Sequence, residues 1–143
     1  MESRRLRQSA WKPVPATLRP EPEARKRLSG PGLRAFFPIT TAWRLTVAEQ
    51  RALLGWPPSS TFHKYKSGNP GTLSFDTLTR ISLVLGIYKA LQILYPDPLL
   101  ADAWVRMPNT SPVFGGKPPI ELMAGDGIDG LYRVRRLLDG RRG

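Results

Sequence analysis

The chain has 143 residues, enough for one ordinary domain or two very small ones sharing a core, and not for a multi-domain enzyme. Its 22 Lys and Arg stand against 11 Asp and Glu, a formal charge of +11, so its surface should attract polyanions or an acidic partner. The lack of Cys excludes disulfides, Cys-ligated zinc, iron–sulfur clusters and thiol nucleophiles. A triad or histidine metal site would rest on the one histidine, His63, and no H-E-x-x-H, P-loop or G-x-S-x-G pattern occurs; no enzymatic activity, metal or cofactor is expected.

Residues 1–34 hold Pro13, Pro15, Pro20, Pro22 and Pro31 and nine basic against three acidic residues, with few large apolar side chains. Such a segment buries too little surface to offset the entropy of ordering it, and reads as a solvated, disordered basic tail with at most a helical turn around Glu23 to Leu28. The twin Arg4-Arg5 precedes no apolar run, and the prolines argue against an amphipathic transit helix. The most apolar stretch, Ile81 to Tyr95, is interrupted by Lys89 and Gln92 and falls short of the ~20 residues that span a bilayer. A cytoplasmic protein without a membrane partner is the expectation.

Folding is expected from Ala35, where Phe36, Phe37, Ile39, Trp43 and Leu45 supply bulk and Pro38 confines the first helix to the residues after it. Thr46 and Glu49 form a capping box for a helix Val47 to Leu54 that ends at Gly55. After Trp56-Pro57-Pro58, Ser59 or Ser60 is placed to cap a second helix reaching Lys66, stopped by Ser67-Gly68-Asn69-Pro70-Gly71. Two short helices joined by a Gly-containing turn give the helix-turn-helix layout. Leu73, Leu78, Ile81 and Leu85 predict a third core helix ending at Gly86, and Ile87 to Tyr95 a further amphipathic stretch stopped by Pro96. Asp97-Pro98 opens a helix to Met107, Pro118-Pro119 starts one over Ile120 to Ala124, and Ile128, Leu131, Val134, Leu137 and Leu138 outline a last helix ending at Gly140. The fold class is all-α, with six or seven short helices.

The segment 59–66 reads as a recognition helix. Phe62 and Tyr65 sit i, i+3 toward the core, which leaves Ser59, Ser60, Thr61, His63, Lys64 and Lys66 for DNA. Hydroxyls at a helix N-terminus suit phosphate, and Lys suits phosphate or guanine edges. On the last helix, Asp129 to Arg133 and Arg135 to Asp139 are i, i+4 pairs, whereas Gly140-Arg141-Arg142-Gly143 reads as a flexible end with two guanidinium groups that can grip carboxylates or phosphates bidentately. Gly115 and Gly116 fit no phosphate-loop spacing and read as a turn; Trp104 and Phe114 read as core.

The chain from about residue 37 to 143 resembles the MbcA/ParS/Xre antitoxin family, partners of RES-domain toxins. The matching stretches are Leu53-Leu54-Gly55 before the Ser-Thr-Phe helix, Leu78 to Leu83, and Leu85 to Leu91 leading to Tyr95-Pro96. The most specific are Trp104, Pro108-Asn109, Phe114-Gly115-Gly116, Pro118 to Met123, Gly130-Leu131 and Val134 to Asp139. The resemblance implies a tail (1–34), an Xre-like helix-turn-helix region (35–96) and a C-terminal toxin-binding region (97–143). It implies as partners a RES toxin that breaks down NAD, whose substrate pocket the C-terminal segment covers, and operator DNA through which the complex represses its own operon, with a homodimer or a hetero-oligomer with toxin. Asn109, Phe114, Gly115, Gly116 and Arg135 are the motif matches in the toxin-binding region. Arg141 and Arg142 join them by charge and position. A stand-alone helix-turn-helix regulator with a C-terminal dimerisation region is the alternative.

Overall fold

In the computed structural model, which describes residues 21–142, the first helix, α1, spans Pro22–Ala42, and more than half of it lies in the stretch that composition assigns to a solvated tail. Pro22 at the start costs nothing, because the first-turn N–H groups have no helical partner. Pro31 and Pro38 each remove an i→i−4 bond from the interior, a penalty of ~3 kcal/mol or more. Both lie on the exposed side. The opposite face buries Leu33, Phe36 and Ile39, each contributing roughly 1.5–3 kcal/mol. Two polar side chains fasten the early turns: Ser29 Oγ accepts the Leu73 N–H at 2.9 Å, and Arg25 Nη1 donates to the Leu73 carbonyl at 3.0 Å. The expected tail is therefore wrong for residues 22–34, and the rest of it, 1–20, lies outside the described residues.

Helix α2 spans Val47–Leu53 and has the capping box the sequence predicts: the Glu49 N–H donates to Thr46 Oγ1 at 3.1 Å, and the Thr46 N–H to Glu49 Oε1 at 2.9 Å. Helix α3 spans Ser59–Lys66. Its N-cap position is held by Pro58 without a side-chain cap, so Ser59 and Ser60 are the first helical residues rather than caps.

Helix α4 spans Phe75–Leu94, capped by Ser74 Oγ, and joins two helices that the sequence separates at Gly86. Glycine here marks a close approach, not a stop: a Cβ on Gly86 would collide with the Arg135 guanidinium. By length and mean hydropathy (1.3) α4 is apolar enough to cross a membrane; in the fold it lies between α1 and the C-terminal helix, and its apolar faces go to both.

Helix α5 (Pro98–Ala103) starts at Asp97, whose Oδ1 accepts the Leu99 N–H at 3.0 Å, and passes into a 3₁₀ turn, Trp104–Arg106. Helices α6 (Pro119–Gly125) and α7 (Gly127–Arg141) pack tightly on each other. A Cβ on Gly130 would run into the Leu122 carbonyl. α7 continues through Gly140, which lies in its last turn. The described residues contain seven α-helices and no strand, the all-α class that periodicity predicts. One apolar cluster runs from Leu33 on α1 to Leu138 on α7, so the parts before and after α4 share a core.

Candidate functional site

The α2–turn–α3 unit is held by its aromatic side. Phe62 is buried and meets Phe37 of α1 edge-on, with ring centroids 6.0 Å apart. Tyr65 is half-buried, and that burial raises its phenol pKa above the ordinary value of 10.0. Ser59, Ser60, His63, Lys64 and Lys66 are exposed and Thr61 is half-buried, so the six residues that the sequence assigns to DNA are on or near the outer surface of one helix. Lys66 differs from Lys64. Its ammonium lies 5.5 Å from the Phe37 ring centre and 5.7 Å from that of Phe62, a pair of cation–π contacts that restrict its reach.

The turn between these helices is strained and clasped. Gly55 (φ +87°) and Trp56 (φ +61°) are both left-handed, and for a bulky residue this conformation is unfavourable by roughly 1–2 kcal/mol. Three contacts fix it. The Trp56 N–H donates to the Arg51 carbonyl at 2.7 Å, the Arg51 guanidinium donates twice to the Pro57 carbonyl at 3.1 and 2.9 Å, and the same guanidinium lies 5.7 Å from the Trp56 ring centre. Arg51 gives no local signal for this role, because its partners are set by the turn geometry and not by helical spacing.

In the C-terminal third, the motif residues mostly build a loop. Asn109 Oδ1 accepts the Ser111 N–H at 2.9 Å and its own N–H donates to the Lys117 carbonyl at 3.3 Å, which closes the loop at its neck. Phe114 is buried with its ring edge-on to Trp104 at 5.8 Å. Gly115 (φ +58°) and Gly116 (φ +82°) make the exposed turn beside it. Phe114 shows a partner only the ring edge that lines the pocket beside Lys117 and Leu122, and it seats the turn that Gly115 and Gly116 present.

The arginines of α7 are placed unequally. Arg135 lies over Gly86 of α4 and pairs through Nε with Asp139 Oδ2 at 3.1 Å, so it anchors α7 to α4. Arg133 pairs with Asp126 at 3.5 Å, a different carboxylate from the Asp129 that spacing suggests. Arg141 is the exposed last residue of α7, and Arg142 follows it as the C-cap with Nη1 3.6 Å from Asp139 Oδ1. The flexible guanidinium end read from the sequence is thus a helix terminus, because the helix carries on through Gly140 and Asp139 holds the second arginine.

One ion pair ties the two parts together. Arg106, on the 3₁₀ turn, reaches Glu49 Oε1 at 3.0 Å, and that same oxygen accepts the capping-box bond from Thr46. The first helix of the helix-turn-helix is thereby braced by the C-terminal third. No sequence spacing links residues 49 and 106.

Residues 22–86 match the antitoxin Xre-like helix-turn-helix domain, and residues 90–143 match the antitoxin Xre/MbcA/ParS C-terminal toxin-binding domain. The chain belongs to the Xre/MbcA/ParS antitoxin family. The two matches meet inside α4, so the antitoxin's helix-turn-helix and toxin-binding parts share this one helix. The first match begins at Pro22, where α1 begins, ahead of the residue-37 start of the resemblance read from motifs. An uncharacterized protein of Sinorhizobium fredii, y4oB, is 44% identical to the antitoxin over 111 residues, covering 78% of this chain and 84% of that protein. No solved structure matches it. Neither matched domain is that of an enzymatic family.

Proposed function

We propose that this antitoxin neutralises a RES-domain toxin that degrades NAD, by laying its C-terminal region over the toxin's substrate pocket, and that it represses its own operon through α3. The observation that carries this reading is the joining of a helix-turn-helix and a toxin-binding stretch on one core, with exposed cations at both: Lys64 on α3 and Arg141 at the end of α7. Occlusion needs only binding energy, and the bond-forming and bond-breaking chemistry stays with the partner. Arg141 is the cation best placed to meet a pocket that accepts a pyrophosphate or to pair with its acidic rim, because a guanidinium presents two donors to a carboxylate. Arg142 reaches the same place once Asp139 releases it, and the turn at Gly115 and Gly116 supplies backbone without side-chain bulk. On the DNA side, Ser59, Ser60, Thr61, His63 and Lys64 lie where a recognition helix contacts phosphates and base edges, and Lys66 is held against rings to steady it. Two-fold pairing of such a unit would place half-sites about one helical turn apart.

The test is coexpression with a RES-domain toxin, following growth and cellular NAD. Wild-type antitoxin restores both. Arg141→Glu with Arg142→Glu loses protection while operator binding persists, and full protection by that double variant refutes the pocket-covering role. Truncation is the weaker experiment, since removing the end of α7 also removes Leu138 from the core.

A further inference from the structure

Among the described residues, seven large apolar side chains are exposed, and four of them (Ile93, Leu99, Leu100 and Met107) fall within fifteen residues of chain that surround α5. Leu99 is 80% exposed and Met107 49%. These two face a common groove of about 390 Å³. The wall opposite them is the C-terminal end of α1, where Trp43 forms part of the lining. Arg44, Asp102 and Arg106 complete the rim.

The groove is preorganised. Asp97 caps α5, Ala101 buries its inner face, and Asp102 Oδ1 accepts the Gln92 Nε2–H at 3.0 Å, so Leu99 is displayed on a fixed helix. Arg106 is committed to Glu49. Arg44 is not committed: it is exposed, it has a left-handed φ of +55°, and its side chain makes no hydrogen bond or ion pair with another described residue. Residues 99–107 belong to the stretch that matches the toxin-binding domain. Asp102 hydrogen-bonds only the neutral Gln92 amide and so keeps its charge on the same rim; the groove fits a protein segment that brings an apolar side chain between the walls and a carboxylate on the Arg44 side, away from Asp102. The match of this stretch to the toxin-binding domain selects the toxin over a second copy of this chain as the occupant.

We propose that this groove is the hydrophobic anchor for the toxin: it receives an aliphatic or aromatic side chain of the toxin flanked by an acidic residue that pairs with Arg44. The inference rests on the antitoxin reading and divides the labour within it. The groove supplies affinity, and the end of α7 supplies occlusion. Apolar anchors in pockets dominate such interfaces, whereas rim charges act mainly on the association rate.

The experiment measures binding of the purified RES-domain toxin to the full antitoxin by titration calorimetry, with operator binding and helical circular dichroism as checks on the fold. Leu99→Asp with Met107→Asp should weaken toxin binding by roughly 100-fold. Arg44→Glu should slow association by roughly 10-fold at low salt, an effect that fades as salt is added. Leu28→Asp, at another exposed leucine, should change nothing. Should the double variant fail to fold, Arg44→Glu decides, since its side chain is exposed. Wild-type affinity in these variants overturns the proposal and leaves the antitoxin reading standing. A double variant that keeps the toxin but turns a dimer into a monomer by light scattering overturns it in favour of a second copy. If the wild-type chain itself does not bind the toxin, the antitoxin reading fails and takes this inference with it.

Discussion

Replacing glycine by alanine at two positions of α7 should move stability in opposite directions. Within a helix the change is worth up to ~1 kcal/mol in favour of alanine, from the lost freedom of the unfolded chain. At Gly140 nothing lies within 4 Å of the added methyl, so this gain survives, reduced to about 0.5 kcal/mol near a fraying end. At Gly130 the methyl meets the Leu122 carbonyl of α6, which is backbone and cannot swing aside as a long side chain can. Separating α6 from α7 costs about 3 kcal/mol by analogy with overpacked cores, and after the propensity gain the net loss is about 2 kcal/mol. In a chain of this length that is a fall in melting temperature of about 8 °C, against a rise of about 2 °C for Gly140→Ala. Urea and thermal melts followed by circular dichroism read both. A Gly130→Ala protein as stable as wild type would mean that α6 and α7 do not approach as closely as described, and the seating of the toxin-binding region would need redrawing.

Other expectations concern single residues. Gly55→Ala places a side chain at φ +87° with the Arg80 guanidinium 3.1 Å from its Cβ, and should destabilise by about 1–2 kcal/mol in urea melts. Thr46→Ala removes the capping box and should cost about 1 kcal/mol by the same measurement. Lys64→Ala should lower operator affinity and reduce the slope of log K against log salt by about one, with protection against the toxin unchanged. Because burial raises the Tyr65 pKa, the unfolded chain gives up that proton first as pH climbs; stability should therefore fall as pH rises past 10, and Tyr65→Phe should make that fall shallower in melts taken between pH 8 and 11.

The features legible in the sequence are those that short-range chemistry specifies. The capping box at Thr46 and Glu49, the Asp97-Pro98 start of α5 and the glycine-rich end of α3 each involve neighbours within a few residues, and each stands where the sequence places it. The start of α1 is hidden because its support comes from Leu73, 44 residues downstream of Ser29, while its prolines argue locally for a coil. Gly86 and Gly140 look like helix stops because glycine often is one; at Gly86 the deciding contact is Arg135 on a different helix. The candidate site divides the same way. The outward face of α3 follows from the spacing of Phe62 and Tyr65, whereas the groove beside Leu99, the Arg51 clasp and the Arg106 bridge to Glu49 are products of tertiary packing.

The proposed function requires that this chain shut a toxin's substrate pocket. Titrating the purified RES-domain toxin with it while following NAD consumption tests that directly: activity should fall to zero as the complex becomes stoichiometric, and higher NAD should shift the curve as it does for a competitor. A saturated complex that continues to consume NAD at the free toxin's rate would rule out closure of the pocket.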